Sequence, residues 1–324
     1  MKKVLFILSF AVTLLACNTV DVESLDGFKV SSNVQSGDTI VNDTVIIHLK
    51  HTLSFNFQGS PDYITFYSGE VHSNYAYAGL SQRNSDSTIV SFSTAIASGN
   101  QGTLSLLVSN NFSGTMDSSN VAKANWVVVK QAKYATSATV LSSGNLRLDT
   151  ISGIDKNKPV YLAFKLTTDS AKTTTLLPRS WTINTFNVKN CFSTPNLAKA
   201  GTSLADTVYT LAYDFKTGGF QSVSLKNSLN YWYFTNTKMT FTLNSQVQGS
   251  LPDEDWTITR ALDMRSVWPD YGTYVKSMND IGDITSYAYT YKKTGLYIAT
   301  FVAQNINYKG STKVVRQIPV KVIP

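Results

Sequence analysis

Val45-Ile46-Ile47-His48-Leu49-Lys50-His51-Thr52-Leu53-Ser54-Phe55-Asn56-Phe57 is the stretch whose reading decides the fold. Val45, Ile47, Leu49, Leu53, Phe55 and Phe57 fall on one side of a two-residue period. Ile46, His48, Lys50, Thr52, Ser54 and Asn56 fall on the other. Successive side chains of a strand point to opposite faces, so this alternation predicts a half-buried antiparallel strand, interrupted near His51. Gly59-Ser60-Pro61-Asp62 then predicts a turn, and Ile64-Thr65-Phe66-Tyr67 a short strand that stops at Ser68-Gly69-Glu70.

Outward from that stretch the same period recurs. Thr88 to Phe92 and Leu104 to Val108 read as strands, and short strands at this spacing predict an Ig-like β-sandwich over residues 44–112. Asn110 to Val121 is polar and reads as a boundary. Beyond it, Trp126 to Val129, Val160 to Leu166, Trp181 to Ile183, Tyr209 to Tyr213, Val223 to Leu225, Met239 to Leu243 and Trp256 to Ile258 predict a two-sheet jelly roll over residues 113–264. Residues 265–324 hold Tyr287 to Tyr291, a Lys293-Thr294-Gly295 turn, Tyr297 to Val302 and Val314 to Val322. They predict a hairpin and a short Ig-like module. No segment carries a helical period, so the fold class is all-β.

Before the first strand, Lys2-Lys3 precede a short apolar run that ends in Leu14-Leu15-Ala16-Cys17. This is the layout of a lipoprotein signal, with an apolar core too short to span a bilayer. Residues 1–16 are expected to be removed and Cys17 to carry lipid, with 17–43 as a polar tether and the start of the first strand. Asn18 is not the Asp that retains many lipoproteins in the inner membrane, so outer-membrane placement facing the exterior is expected. Past the signal no apolar run approaches the ~18 residues of a membrane span, and the anchor is expected to be the only membrane contact.

Composition narrows the function. The chain has 324 residues, 15% charged and 12% aromatic, with a net charge of +7. The basic residues form no run, which argues against nucleic acid. Of the two cysteines, Cys17 is assigned to lipid and Cys191 to a small buried side chain, so no disulfide framework is expected. His48, His51 and His72 show no metal-ligand spacing; in one continuous strand His48 and His51 would point to opposite faces. No Gly-x-Ser-x-Gly elbow, dinucleotide fingerprint or phosphate loop is present. Glu70 is the one acid inside a distinctive motif. Its bland role is to bind the turn that ends the strand, and its catalytic role would need a second carboxylate across a cleft. Asp253-Glu254-Asp255 reads as a solvated loop in which Asp253 and Asp255 are the candidate ligands of a structural calcium; no other cofactor is expected.

Aromatics are the more informative resource. Sugar rings pack their C–H groups on aromatic faces while amide and hydroxyl groups bind their oxygens. Trp126, Trp181 and Trp256 sit in alternating strands and read as core. Tyr231-Trp232-Tyr233, and Trp268 with Tyr271, are the candidate carbohydrate-binding residues, with packing in the core as the competing reading for each.

Phe55-Asn56-Phe57-x-Gly59 followed by Asp62-x-Ile64-x-Phe66-Tyr67-Ser68-Gly69-Glu70 resembles a domain-of-unknown-function family of Bacteroidetes surface lipoproteins marked by Phe-Tyr-Ser-Gly-Glu. Pro159 to Phe164 and Arg179 to Ile183 resemble that family's jelly-roll region, and Gly295 to Asn305 resembles a PKD (polycystic kidney disease) module. The resemblance implies a cell-surface protein, often encoded beside SusC/SusD-like glycan importers. It supplies no catalytic residues. The resulting expectation is an Ig/PKD-like sandwich, a central jelly roll and a short C-terminal Ig/PKD-like module, acting as a non-catalytic polysaccharide-binding lipoprotein. An adhesin or spacer that binds protein partners, and a glycoside hydrolase or lyase, are the alternatives.

Overall fold

A computed structural model of the chain describes residues 21–99, 102–169, 179–193, 207–235, 237–242 and 252–324. The lipidation expected at Cys17 lies outside these residues. The chain is all-β, as expected, and among the described residues the only α-helices are the short Ser118–Lys123 and Phe215–Gly218. No helix among them is long and apolar enough to cross a membrane.

The strands group into two compact units, not three modules in tandem. One unit contains residues 21–79 together with 270–324; the other contains most of 80–269. The expected boundaries at 112 and 264 are therefore replaced. Ser87–Ile96 and Thr103–Ser109, assigned to the first sandwich, pair with the strands Trp181–Phe192 and Tyr161–Thr168 of the second unit. The C-terminal segment is not a module of its own, because its strands complete the first unit's sheets.

In that first unit a three-stranded sheet has Thr52–Gln58 at its centre, between Lys29–Asn33 and Ser286–Thr290. A six-stranded sheet runs Thr273–Lys276, Tyr63–Tyr67, Gly295–Asn307, Gly310–Ile323, Thr44–His48, Thr39–Val41. All its pairings are antiparallel except one. Gly310–Ile323 lies parallel to Thr44–His48, with Val320 opposite Val45 and Ile323 opposite His48. The alternation read from the sequence accounts for the core: Val45, Ile47, Leu53 and Phe55 are buried, with Phe57 and Leu49 packed at the margin. The rings of Phe55 and Phe66 meet that of Phe301 at 4.8 and 4.9 Å.

The hairpin expected around Lys293-Thr294-Gly295 does not form. Ser286–Thr290 pairs with Thr52–Gln58 in one sheet, and Gly295–Asn307 pairs with Tyr63–Tyr67 and Gly310–Ile323 in the other. The turn carries the chain across the sandwich, and stacked Tyr291 and Tyr297, 4.7 Å apart, fill the corner.

In the second unit, a seven-stranded sheet built around Trp181–Phe192 faces a five-stranded sheet built around Tyr161–Thr168. Phe92, Phe164, Phe186, Trp181, Trp232 and Phe241 belong to the core. The five-stranded sheet is covered on its other face as well, where Phe112, Val121, Val223, Trp256 and Ile258 cluster. Trp126 packs there at 5.2 Å from Trp256. Burial on both faces explains why Leu106-Leu107-Val108 is apolar throughout and does not alternate. Cys191 is free and buried, as expected.

Candidate functional site

The strand Tyr63–Tyr67 sends Ile64 and Phe66 into the core, which leaves Tyr63, Thr65 and Tyr67 on the outer face of the six-stranded sheet. Register places Val302 opposite Thr65 and Thr300 opposite Tyr67. On the next strand Lys313 lies opposite Gln304. Tyr274 lies opposite Thr65 on the other side. Paired residues share a face, so the sheet presents a row of phenol, hydroxyl, amide and ammonium groups.

Over this row runs the segment that follows Phe66-Tyr67-Ser68-Gly69-Glu70. Gly69 adopts φ +82°, and a Cβ there would stand 2.7 Å from the backbone nitrogen of Ile298, so only glycine lets the chain turn against that strand. Ser68 accepts at its carbonyl from the Tyr291 hydroxyl at 3.0 Å. Glu70 accepts from the Tyr289 hydroxyl, and from the Lys292 amide at 3.4 Å. Burial first and Glu70 second push the Tyr289 phenol up to about 12, which keeps it a proton donor at neutral pH.

After this turn Asn74 caps the 3-10 helix Tyr75–Tyr77 by accepting from the Ala76 amide at 3.0 Å. The buried carboxylate of Asp270 accepts from the Asn74 amide at 2.9 Å, and the Tyr271 amide donates to the His72 carbonyl at 3.0 Å. These bonds fix Tyr75 beside Tyr67, with rings 5.3 Å apart and edge to face. Lys313 Nζ lies 5.5 Å from the centre of the Tyr75 ring. The result is an open groove of about 490 Å³ lined by Thr65, Tyr67, Tyr75, Val302, Gln304, Lys313 and two alanines. That volume falls among ordinary small-ligand clefts, roughly 300–1,000 Å³. The lining has aromatic faces, a hydroxyl, an amide and one cation, and no carboxylate. It can hold a polar, ring-bearing ligand and offers no acid–base pair.

The residues singled out from sequence fare unequally. Trp232 is 2% exposed, whereas its neighbours Tyr231 and Tyr233 are 51% and 56% exposed, so strand Tyr231–Phe234 turns its indole into the core and two phenols to solvent. The reading of Trp232 as a binding residue is corrected accordingly: the inward face of an alternating strand takes the largest apolar ring. Trp268 is exposed and lies 5.0 Å from the ring of Tyr209. Tyr271 is exposed too, but it belongs with residues 270–324 and Trp268 with the second unit, so the two fall on either side of the division between the units.

Asp253 and Asp255 are not in a solvated loop. They begin the strand Asp253–Ile258, two residues apart on one face, and both are buried. Asn230 donates to Asp253 Oδ2 at 2.7 Å, while Asp253 Oδ1 and Asp255 Oδ2 have no hydrogen-bond partner. Burial first, and then the adjacent Asp253, push the Asp255 carboxyl up to about 9. A carboxyl so placed keeps its proton at neutral pH.

The histidines give the clearest departure. His48 closes the strand Thr44–His48, and Lys50, at φ +71°, turns the chain before Thr52. The turn brings His51 back beside His48 and does not leave it on the opposite face. Nδ1 of His48 lies 3.1 Å from Asp38 Oδ1, and Nδ1 of His51 lies 3.0 Å from both Asp38 oxygens. The His48 amide donates to the same carboxylate at 2.9 Å. Burial opposes the charge on Asp38, but these bonds outweigh it and hold its carboxyl below the ordinary range.

Tyr67 and Glu70 stood in a motif visible in the sequence, but Tyr75, Gln304 and Lys313 did not. Gln304 and Lys313 are signalled only by their place on the outward phase of their strands, and Tyr75 lies in a 3-10 helix that no strand period marks.

Fold and groove define an all-β protein whose first unit carries an open aromatic cleft beside a buttressed Phe-Tyr-Ser-Gly-Glu turn. Residues 18–213, more than half of the chain, match the family described as Domain of unknown function (DUF5017), and the chain belongs to that family. Comparisons with curated proteins and with solved structures give no match.

Proposed function

We propose that this chain is a non-catalytic lipoprotein of the bacterial outer surface that binds glycan, with the groove at Tyr67 and Tyr75 as the binding site. The observation that carries the reading is the groove itself. Two aromatic rings whose planes stand 65° apart can pack against the C–H faces of a sugar, and Thr65, Gln304 and Lys313 stand ready for its oxygens. Glu70, the acid a hydrolase would need, is engaged by Tyr289 and Lys292, and the small cleft beside it contains no second carboxylate among its lining residues. Acylation at Cys17 would hold many copies on one surface, so that weak contacts add along a polymer. A neighbouring SusC/SusD-like importer, implied by the Bacteroidetes lipoprotein resemblance, is the partner this role fits.

In affinity electrophoresis across a polysaccharide panel, the mature chain is retarded by at least one polymer. Tyr75→Ala weakens that retardation about 10-fold, the equivalent of about 1.4 kcal/mol, without lowering the melting temperature. No retardation of the wild-type chain by any polymer, or equal retardation of a Tyr67→Ala/Tyr75→Ala double variant, overturns the reading. The anchor has its own test. A metabolic fatty-acid label marks the wild-type chain and leaves Cys17→Ala unmarked, and equal marking of both would remove Cys17 as the anchor.

A further inference from the structure

Asp38, His48 and His51 have no place in the glycan reading, yet both imidazoles converge on one carboxylate. Asp38 is 1% exposed at its side chain and sits at the entry to the edge strand Thr39–Val41. The two imidazoles remain 42% and 36% exposed, so a solute can reach them. Both rings present the same nitrogen, Nδ1, to one carboxylate, and their centres stand 5.4 Å apart. One candidate ligand atom from each of the three residues lies within 4.8 Å of the others. The chain reaches this arrangement by placing Lys50, a residue with a Cβ, in the left-handed region, at a cost of about 1 kcal/mol.

We propose that Asp38, His48 and His51 bind one divalent transition-metal ion of zinc-like preference, through Nδ1 of both imidazoles and a carboxylate oxygen, with water on the open side. The donor set is the two-nitrogen, one-oxygen kind that suits zinc, nickel or copper, whereas calcium and magnesium take oxygen ligands. Bond lengths of about 2.0–2.2 Å around a tetrahedral ion separate its ligand atoms by roughly 3.3–3.5 Å. The N···O distances here are 3.0 and 3.1 Å, within a few tenths of an ångström of that separation. Each imidazole would shift its ring proton to Nε2, exchanging through solvent, which frees the Nδ1 lone pair for the ion in place of the hydrogen bond. Its structural effect would be to clamp the start of the Thr39–Val41 edge strand to the turn between Thr44–His48 and Thr52–Gln58. Sheet edges are otherwise held by few bonds.

The test is a titration of the metal-free mature chain with zinc, followed by calorimetry, with calcium and magnesium run alongside. The wild-type chain takes up one equivalent of zinc and its melting temperature rises, whereas calcium and magnesium leave it unchanged. His51→Ala and Asp38→Asn each weaken binding about 100-fold or more, and His72→Ala leaves it as it was. Nitrogen-15 resonances of the wild-type imidazoles supply a readout that needs no variant: zinc displaces the Nδ1 signals of His48 and His51 and not those of His72. Absence of zinc uptake by the wild-type chain overturns the proposal. So does uptake that persists in a His48→Ala/His51→Ala variant, or that moves the Nε2 signals alone.

Discussion

Trp232→Ala is expected to destabilise the second unit by about 3–5 kcal/mol, the range for removing a large ring from a packed core. The indole is almost wholly enclosed and meets Phe241 across the strand pair at 5.6 Å, beside Met239. Its Nε1–H is buried with no hydrogen-bond partner, so the ring contributes through packing and at some polar cost. Trp232→Phe should therefore cost much less, about 1.5 kcal/mol or under, because it keeps most of the volume and removes the unpartnered donor. Urea unfolding followed by circular dichroism reads both changes. A loss below about 1 kcal/mol in Trp232→Ala would show that this strand is not packed as described. The outcome also separates core from binding residue: glycan retention in the remaining folded Trp232→Phe protein should match that of the wild type.

Asp255→Asn is expected to change how stability depends on pH, and to do so in the opposite sense from most carboxylates. In the folded chain burial and the neighbouring Asp253 hold the Asp255 proton up to about 9, whereas the ordinary value is 3.8. Between those two values the folded state binds one proton more than the unfolded chain. Stability contributed by this group is therefore fully present below about pH 4 and falls as pH rises towards 9, by up to about 1.4 kcal/mol per pH unit. Asparagine cannot ionise, and its shape is nearly the same. At pH 8 the variant should be more stable than the wild type, by several kcal/mol. At pH 4 the two should nearly coincide. Thermal melts of both proteins at several pH values decide the matter, and parallel curves would mean that Asp255 does not keep its proton in the folded chain.

Much of the fold could be read directly from the chain. Alternation from Val45 to Phe57 named the inward residues correctly, because a strand's period is local and the core accepts only its apolar phase. Pairing was not legible in the same way. Val45 finds Val320 and Tyr67 finds Thr300 through bonds between segments more than 200 residues apart, and nothing local announces such a partner. Three adjacent aromatics in Tyr231-Trp232-Tyr233 showed that two faces existed and not which one was inside. Charge usually marks a loop, so Asp253-Glu254-Asp255 reads as solvated; the proton that Asp255 keeps makes its burial tolerable, and sequence carries no sign of it. His48 and His51 were separated by assuming an unbroken strand. The break near His51 was visible, but the left-handed turn at Lys50 that reverses the direction of His51 was not.

The parallel pairing of Gly310–Ile323 with Thr44–His48 has a consequence for biogenesis. A chain made from its amino end presents Val45, Phe55 and Phe66 early, yet the strands that shelter them are among the last to emerge. Residues 80–269, most of which form the second unit, are made in between. During that interval the edges of the incomplete sheet stand exposed, and loss of only the final fourteen-residue strand would take a pairing partner from both Thr44–His48 and Gly295–Asn307.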